Sequence, residues 1–310
     1  MKKFIKNIIL FLLCIIIFLI VFDRVISSLL RKSDKVERNI VWKEIFTGKL
    51  QNDMIIMGSS RAEVQYSPVI LDSLLKTNSY NLGMSGRGIM SQILRYNTYR
   101  RLDGKPKLII QNIDLMTIER DNGFCREQFF PYFYDKTFGQ EVVKLENLTL
   151  ADKYIPGYRY AGYFPKILSW LGIVNRESYT LTKGYSGVDL KWNGSKLKKL
   201  TQINYEHDSL ALRLFDQYLA KAHSENIRII FVYAPLYISA TEKIRNIKGM
   251  YQMYDTIAQK YNIPILDYTY DPICYDTAYF YNATHLNKKG SELFSAKLAH
   301  ALDSLKIFTH

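Results

Sequence analysis

From Asn7 to Phe22 the chain carries no charge and is apolar almost throughout. Counted from Phe4, with Lys6 able to stretch its amine toward water, the run approaches the roughly 20 residues a helix needs to cross a bilayer. Lys2, Lys3 and Lys6 precede it, and basic flanks stay cytoplasmic, so the rest of the chain is expected outside. The alternative is a cleaved signal peptide. The run is long for that, and Asp23-Arg24-Val25-Ile26 offers no Ala-x-Ala-like cleavage site. The pattern therefore predicts an uncleaved anchor with its juxtamembrane segment over residues 1–31. Ser27 to Arg38 reads as its basic, amphipathic continuation at the outer membrane face.

Beyond the anchor, short apolar runs alternate with longer amphipathic ones. Met54 to Met57 is apolar without alternation, as in a strand covered on both faces. Ser67 and Pro68 open a helix to Leu75, serine as N-cap and proline in the first turn. A strand follows over residues 79–82, then a helix from Ile89 to Leu102 with Ile89, Ile93, Tyr96 and Arg100 along one side. Gly104-Lys105-Pro106 ends it, and a third strand runs from Leu108 to Asn112. From about Asp121 to Gln202 the alternation lapses. This segment carries Phe129-Phe130-Pro131-Tyr132-Phe133-Tyr134, a second aromatic group from Tyr154 to Tyr160, and then Tyr185 and Trp192. It reads as a partly helical insertion over the sheet edge. Its aromatics form either a satellite core, the reading we favour, or a groove that stacks on sugar rings or acyl chains.

The pattern then returns: a helix over residues 207–225, a strand over 227–233, a helical stretch over 240–261 broken near Gly249, a strand over 263–267 and a last helix over 287–305. Such alternation predicts a doubly wound (flavodoxin-like) parallel α/β sheet. One extracytoplasmic domain is expected over residues 32–310, with the insertion or cap at about 121–202.

Composition narrows the partners. The net charge of +13 suits an anionic partner such as a lipid surface or an acidic polymer. Nucleic acid is excluded as the expectation, because Lys and Arg are scattered and no binding motif of that kind occurs. Cys125 and Cys274 could pair outside the cytoplasm, which their spacing does not decide. No Cys/His spacing of a structural metal site occurs, and neither a metal nor a cofactor is expected.

The candidate chemistry begins where the first strand ends, at Gly58-Ser59-Ser60-Arg61. Open α/β sheets build their sites at the carboxyl ends of strands, and Gly58 can take backbone angles that other residues avoid. A serine nucleophile needs a base, and the base needs an orienting group. His207, His223 and His300 fall on predicted helices as ordinary polar residues, and His310 is the last residue. His285 differs. It sits in Phe280-Tyr281-Asn282-Ala283-Thr284-His285-Leu286-Asn287, just before the last helix, at the sheet edge where Ser60 should also lie.

These residues resemble the SGNH (GDSL-like) hydrolases. Gly58-Ser59-Ser60 is similar to the first block of that family, with Ser60 as nucleophile. Asn81-Leu82-Gly83-Met84-Ser85-Gly86 is similar to the second, whose glycine lends an N–H to the oxyanion hole, Gly86 being the better match. Gln111-Asn112 is similar to the third, whose asparagine is a further donor, and Asn282-Ala283-Thr284-His285 stands where the last block has Asp-x-x-His. The order holds over roughly residues 53–298. The resemblance implies that Ser60 attacks an ester carbonyl, that His285 takes its proton, and that N–H groups of Ser60 and Gly86 with the Asn112 amide hold the oxyanion.

Two positions depart from the family: Ser59 replaces its usual aspartate, and Asn282 replaces the aspartate that orients the histidine. An asparagine can accept a hydrogen bond from the imidazole and fix its tautomer, but cannot neutralise the imidazolium. Asp276, Asp267 or a backbone carbonyl are alternatives for that place. Arg61 is either a holder of an anionic substrate group or one half of a surface ion pair.

The anchor and the Gly-Ser-Ser-Arg variant resemble the membrane-tethered branch of the family, including proteins that help transfer D-alanine to teichoic acids and proteins that acetylate exopolysaccharides. That implies a membrane-anchored serine esterase or O-acyltransferase acting on ester-linked acyl groups of a cell-envelope glycan or polymer, on the periplasmic or cell-surface side. Hydrolysis and transfer share one acyl-enzyme and stay undecided. Two alternatives stand beside this one. The first is a non-catalytic accessory subunit for a membrane-bound acyltransferase, and the second is a tethered glycan-binding module.

Overall fold

The computed structural model describes residues 1–35, 39–119, 123–174, 180–194 and 203–307. It divides the chain into two units, Met1–Lys43 with Cys125–Thr180, and Glu44–Phe124 with Leu181–His310. His310 and residues 195–202 of the expected insertion lie outside the described residues.

The second unit is built on a five-stranded parallel sheet. The strands among the described residues are β1 (Met54–Met57), β2 (Ser79–Asn81), β3 (Leu108–Asn112), β4 (Ile203–Asn204), β5 (Arg228–Tyr233), β6 (Ile244–Arg245), β7 (Ile265–Asp267), β8 (Phe280–Asn282) and β9 (His285–Leu286). The main sheet has the order β2-β1-β3-β5-β7, with every pairing parallel. β4 pairs with β6, and β8 with β9 as a short antiparallel hairpin. This is the expected doubly wound α/β class. The chain leaves β1 toward β2 and then returns to lay β3 on the other side. That reversal opens a crevice at the carboxyl ends of β1 and β3, where such sheets bind ligands.

Side chains alternate across the sheet. Met54, Ile56, Leu108, Ile110, Ile230 and Val232 share a core with Ala62, Leu71, Leu75, Phe294 and Leu298. Helices Ser60–Gln65, Pro68–Leu75 and Lys288–Ser304 therefore cover one face. On the other, Phe215 of the Ser209–Ser224 helix stacks on Phe231, with ring centroids 5.7 Å apart. All four residues of β1 are fully buried, as their unbroken apolarity requires.

The helical stretch expected over 240–261 with a break near Gly249 is two helices, Ile238–Thr241 and Ile247–Tyr261, with β6 between them. The break falls before Asn246, which takes a left-handed φ of 57°. Gly249 lies inside the second helix, where an added Cβ would stand 2.7 Å from Asn246 Oδ1. Its small size serves a close approach and does not break the helix.

The first unit gathers around the helix Lys2–Lys32. Its N-terminal part is almost wholly exposed and is long and apolar enough to cross a membrane. Beyond it, Asp23, Ile26, Ser27 and Leu30 form a buried stripe at helical spacing. Ile26 and Leu30 pack with Phe130, Tyr160, Ile167 and Trp170. Asp23 is buried against Arg159, 2.6 Å away, and Tyr134 donates a hydrogen bond to the same carboxylate. Ser27 Oγ lies 2.7 Å from the Tyr160 hydroxyl. Phe130, Phe133, Tyr160, Tyr163 and Trp170 thus form a small core with the base of the apolar helix. Tyr185 and Trp192 belong to the α/β unit, where Trp192 donates its backbone N–H to Phe280 O at 3.0 Å. No disulfide joins Cys14, Cys125 and Cys274.

Candidate active site

Ser59 and Ser60 follow β1 through Gly58, whose φ of 149° is open to glycine. A Cβ there would lie 2.8 Å from both Ala62 Cβ and Asn112 Cβ, so only glycine lets β1 turn into its helix this close to the end of β3. The two serines then face different partners. Ser59 caps the Ser60–Gln65 helix and donates its hydroxyl to Asp114 Oδ2 at 2.8 Å. Ser60 Oγ lies 2.8 Å from His285 Nε2.

The β8–β9 hairpin sets the histidine. Asn282 Oδ1 accepts the Thr284 backbone N–H at 2.9 Å and the Thr284 hydroxyl at 3.0 Å. It also stands 3.0 Å from His285 Nδ1. Thr284 Oγ1, its own proton turned to Asn282, is a second acceptor 3.0 Å from the same nitrogen. With two acceptors facing it, Nδ1 carries the ring proton and Nε2 presents its lone pair to Ser60. The Tyr281 ring stacks on the imidazole at 5.4 Å and 10°. Burial, and secondarily the Arg61 guanidinium, lower the His285 pKa to about 4, which keeps the ring neutral at physiological pH. Asp267 and Asp276 instead accept the backbone N–H groups of Thr269 and Ala278.

Arg61 lines the same cavity as Ser60 and His285. It donates from Nε to Gln65 Oε1 at 3.3 Å and from Nη2 to the Ala234 carbonyl. Among the described residues no carboxylate pairs with it, so a cation stands beside the serine without a counter-ion.

Gly86 and Asn112 are placed differently, since neither lines this cavity. Gly86 takes a φ of 70°, and an added Cβ would lie 2.5 Å from Phe124 Cδ1. Asn112 is fully buried. Its Nδ2 donates to Asp114 Oδ2 at 2.8 Å, and its Oδ1 accepts the Tyr66 hydroxyl at 2.7 Å. The Ser60 N–H opens a helix and so has no intrahelical acceptor. It is the one member of the expected oxyanion set that belongs to a cavity-lining residue.

Two contributors were not singled out from sequence. Asp114, buried after β3, gathers donors from Ser59, Asn112 and Thr117. Its signal was an aspartate three residues before a threonine at a strand end, a helix-capping pattern. Thr284 occupies one of the variable places in the Asn-x-x-His block, and only the hairpin's fold turns its hydroxyl toward the ring.

No protein-family model and no curated protein matches the chain. Among solved structures it is similar to a crystal structure from Bacteroides fragilis NCTC 9343 described as a "putative acylhydrolase". The two are 12% identical, with a TM-score of 0.41, over 81% of this chain and 86% of that one.

Proposed function

We propose that the chain is a membrane-anchored serine esterase or O-acyltransferase that acts on ester-linked acyl groups of a cell-envelope glycan or polymer. The observation that carries this is the contact of Ser60 Oγ with His285 Nε2 at 2.8 Å, behind which Asn282 holds Nδ1. Nε2 takes the Ser60 proton as Oγ bonds to the ester carbonyl carbon. The tetrahedral intermediate collapses, the leaving alkoxide takes the proton from His285, and Ser60 carries the acyl group. Water or a glycan hydroxyl then attacks that acyl-enzyme by the same path in reverse. The Ser60 N–H is the first donor for the oxyanion. Arg61 supplies a positive field at the same place and suits an anionic polymer. Anchoring by the Lys2–Lys32 helix, with the second unit outside the cytoplasm, keeps the site beside envelope substrates.

A second reading has its own observation. Asn112, the expected side-chain donor, is fully buried, is absent from the cavity lining and gives an Nδ2 hydrogen to Asp114, which favours an accessory subunit that keeps the fold beside a membrane-bound acyltransferase. An activated fluorophosphonate separates the two. On the active-enzyme reading, the full chain is labelled at Ser60, and Ser60→Ala and His285→Ala abolish labelling. A wild-type protein that is folded yet unlabelled overturns that reading in favour of the accessory subunit.

A further inference from the structure

The cavity at Ser60 is larger and more apolar than an acetyl or D-alanyl group requires. Its volume is about 300 Å³. An apolar cavity of about 150 Å³ holds one benzene ring, six carbons. Loosely packed, twice that volume takes a chain of about six to ten carbons. The apolar lining comes from three separate parts of the fold: Leu115 and Met116 after β3, Leu236 after β5, and Ile244, Ile247 and Met250 from β6 and the helix after it. β6, lying between two helices, and the helix that follows it carry this last group to the cavity. Four charged residues also reach it. Asp114 is taken up by Ser59, Asn112 and Thr117. Arg61 sits next to the serine. Burial, with Asp114 nearby, raises the Glu119 pKa above the ordinary carboxylate value, and Lys243 brings a cation to the same wall.

From this we infer that the acyl group carried by Ser60 is a medium-length aliphatic chain, held in the pocket formed by Leu115, Leu236, Ile247 and Met250. The inference rests on the nucleophile reading above and adds the acyl specificity. Apolar area lost from water drives such binding, at about fourfold in affinity per buried methylene. A chain of eight carbons buries six more methylenes than acetyl, so even partial burial gives a large preference.

The test uses the full-length protein in lipid nanodiscs, where no detergent tail competes for the pocket. Nitrophenyl esters from acetate to palmitate are compared by kcat/KM. The expected profile rises at least 100-fold from acetate to octanoate and falls beyond dodecanoate. Ile247→Trp, which fills the pocket, should move the optimum to butanoate, with kcat/KM for the octanoate ester falling at least tenfold more than that for the acetate ester. Leu115→Trp, in a separate part of the lining, serves the same purpose should the first variant misfold. A profile that is flat or highest at acetate overturns the inference, as does a tryptophan variant that lowers every ester equally. A protein that turns over no ester and takes no phosphonate would sink the nucleophile reading instead. The pocket is then judged by calorimetry on Ser60→Ala, where octanoate should bind at least tenfold tighter than acetate. Equal binding overturns it.

Discussion

Asn282 Oδ1 stands 3.0 Å from His285 Nδ1, so a neutral amide holds the imidazole from behind. The same oxygen accepts two hydrogen bonds from Thr284, which prevents the amide from flipping its nitrogen toward the ring. The tautomer needed by a base is therefore secured without a carboxylate. What the amide lacks is charge, and the lowered pKa of about 4 for His285 fits a ring with burial on one side and Arg61 nearby. A base must be unprotonated to act. Esterase activity is accordingly expected to rise with pH through about 4 and to stay flat above about 5 until alkaline effects begin. A kcat/KM profile with its acid limb near 6.5 would contradict this environment.

Asn282→Asp places a carboxylate where the amide stands. An opposite charge this close raises a histidine pKa by about one to three units and stabilises the imidazolium formed as Ser60 loses its proton. The acid limb should move up by at least about one pH unit, and kcat near neutral pH should increase about tenfold or more. An unchanged limb in a folded variant would mean that residue 282 does not face the ring.

The same shift has a stability consequence. His285 is held neutral in the fold, with a pKa below its unfolded value. Its contribution is complete above about pH 6.5 and is lost as pH falls toward 4. The loss is on the order of 3 kcal/mol at most. Denaturant midpoints measured across that window should fall more steeply in wild type than in His285→Gln, and parallel curves would refute the assignment.

Asp114 is a positioning residue in this arrangement. Its carboxylate ties the N-cap Ser59 to Asn112 and Thr117 across the ends of β1 and β3. Asp114→Ala leaves those donors buried without an acceptor, at a cost on the order of 2–4 kcal/mol. A lower unfolding midpoint is expected, together with a change in kcat that Asp114→Glu does not rescue, because the longer side chain cannot hold the same three donors. Rescue by glutamate would show that charge alone is required.

Much of this was legible from sequence for a physical reason. β1 and β3 are buried on both faces, so their side chains are apolar without exception until Gly58 and Gln111, and the change of pattern marks the sheet edge. That placed Ser60, and the loop before the last helix placed His285. Asn282 was readable as an acceptor from its chemistry. The roles of Asp114 and Thr284 were not, because they depend on which way a hydroxyl or carboxylate turns after the chain folds. The surroundings of Gly86 and Asn112 were likewise not legible: a Cβ at Gly86 would meet Phe124, and the Asn112 amide donates to Asp114.

In the first unit, Asp23 and Arg159 form an ion pair at 2.6 Å with both side chains about 95% buried. Removing one partner leaves a buried charge, at a cost of about 3–5 kcal/mol. Asp23→Ala should loosen the packing of residues 125–174 on the helix and expose them to limited proteolysis in membranes. The α/β unit, with its own core, should keep its resistance. Unchanged cleavage would indicate that the aromatic cluster alone holds the helix.

The surface beside this pair sets the last prediction. Tyr154, Ile155 and Tyr158 are exposed, as is Phe22 at the end of the apolar run. A Cβ built on Gly157 would lie 3.6 Å from the Phe22 ring, so the loop abuts the point where the helix would leave the bilayer. Lys153 adds a cation 4.8 Å from the Tyr154 ring centroid. Tyrosines with basic neighbours are at home in the headgroup layer, where a ring is buried and a hydroxyl or amine stays wet. If the helix spans the membrane, this loop is immersed in the interface and limits how far the first unit can tilt. The check is a polarity-sensitive fluorophore on Ile155→Cys, with Cys14, Cys125 and Cys274 replaced by alanine, in nanodiscs containing lipids brominated near the glycerol. Quenching by those lipids, with protection from aqueous iodide, is expected. The opposite pattern would place the loop in water and require another partner for its exposed side chains.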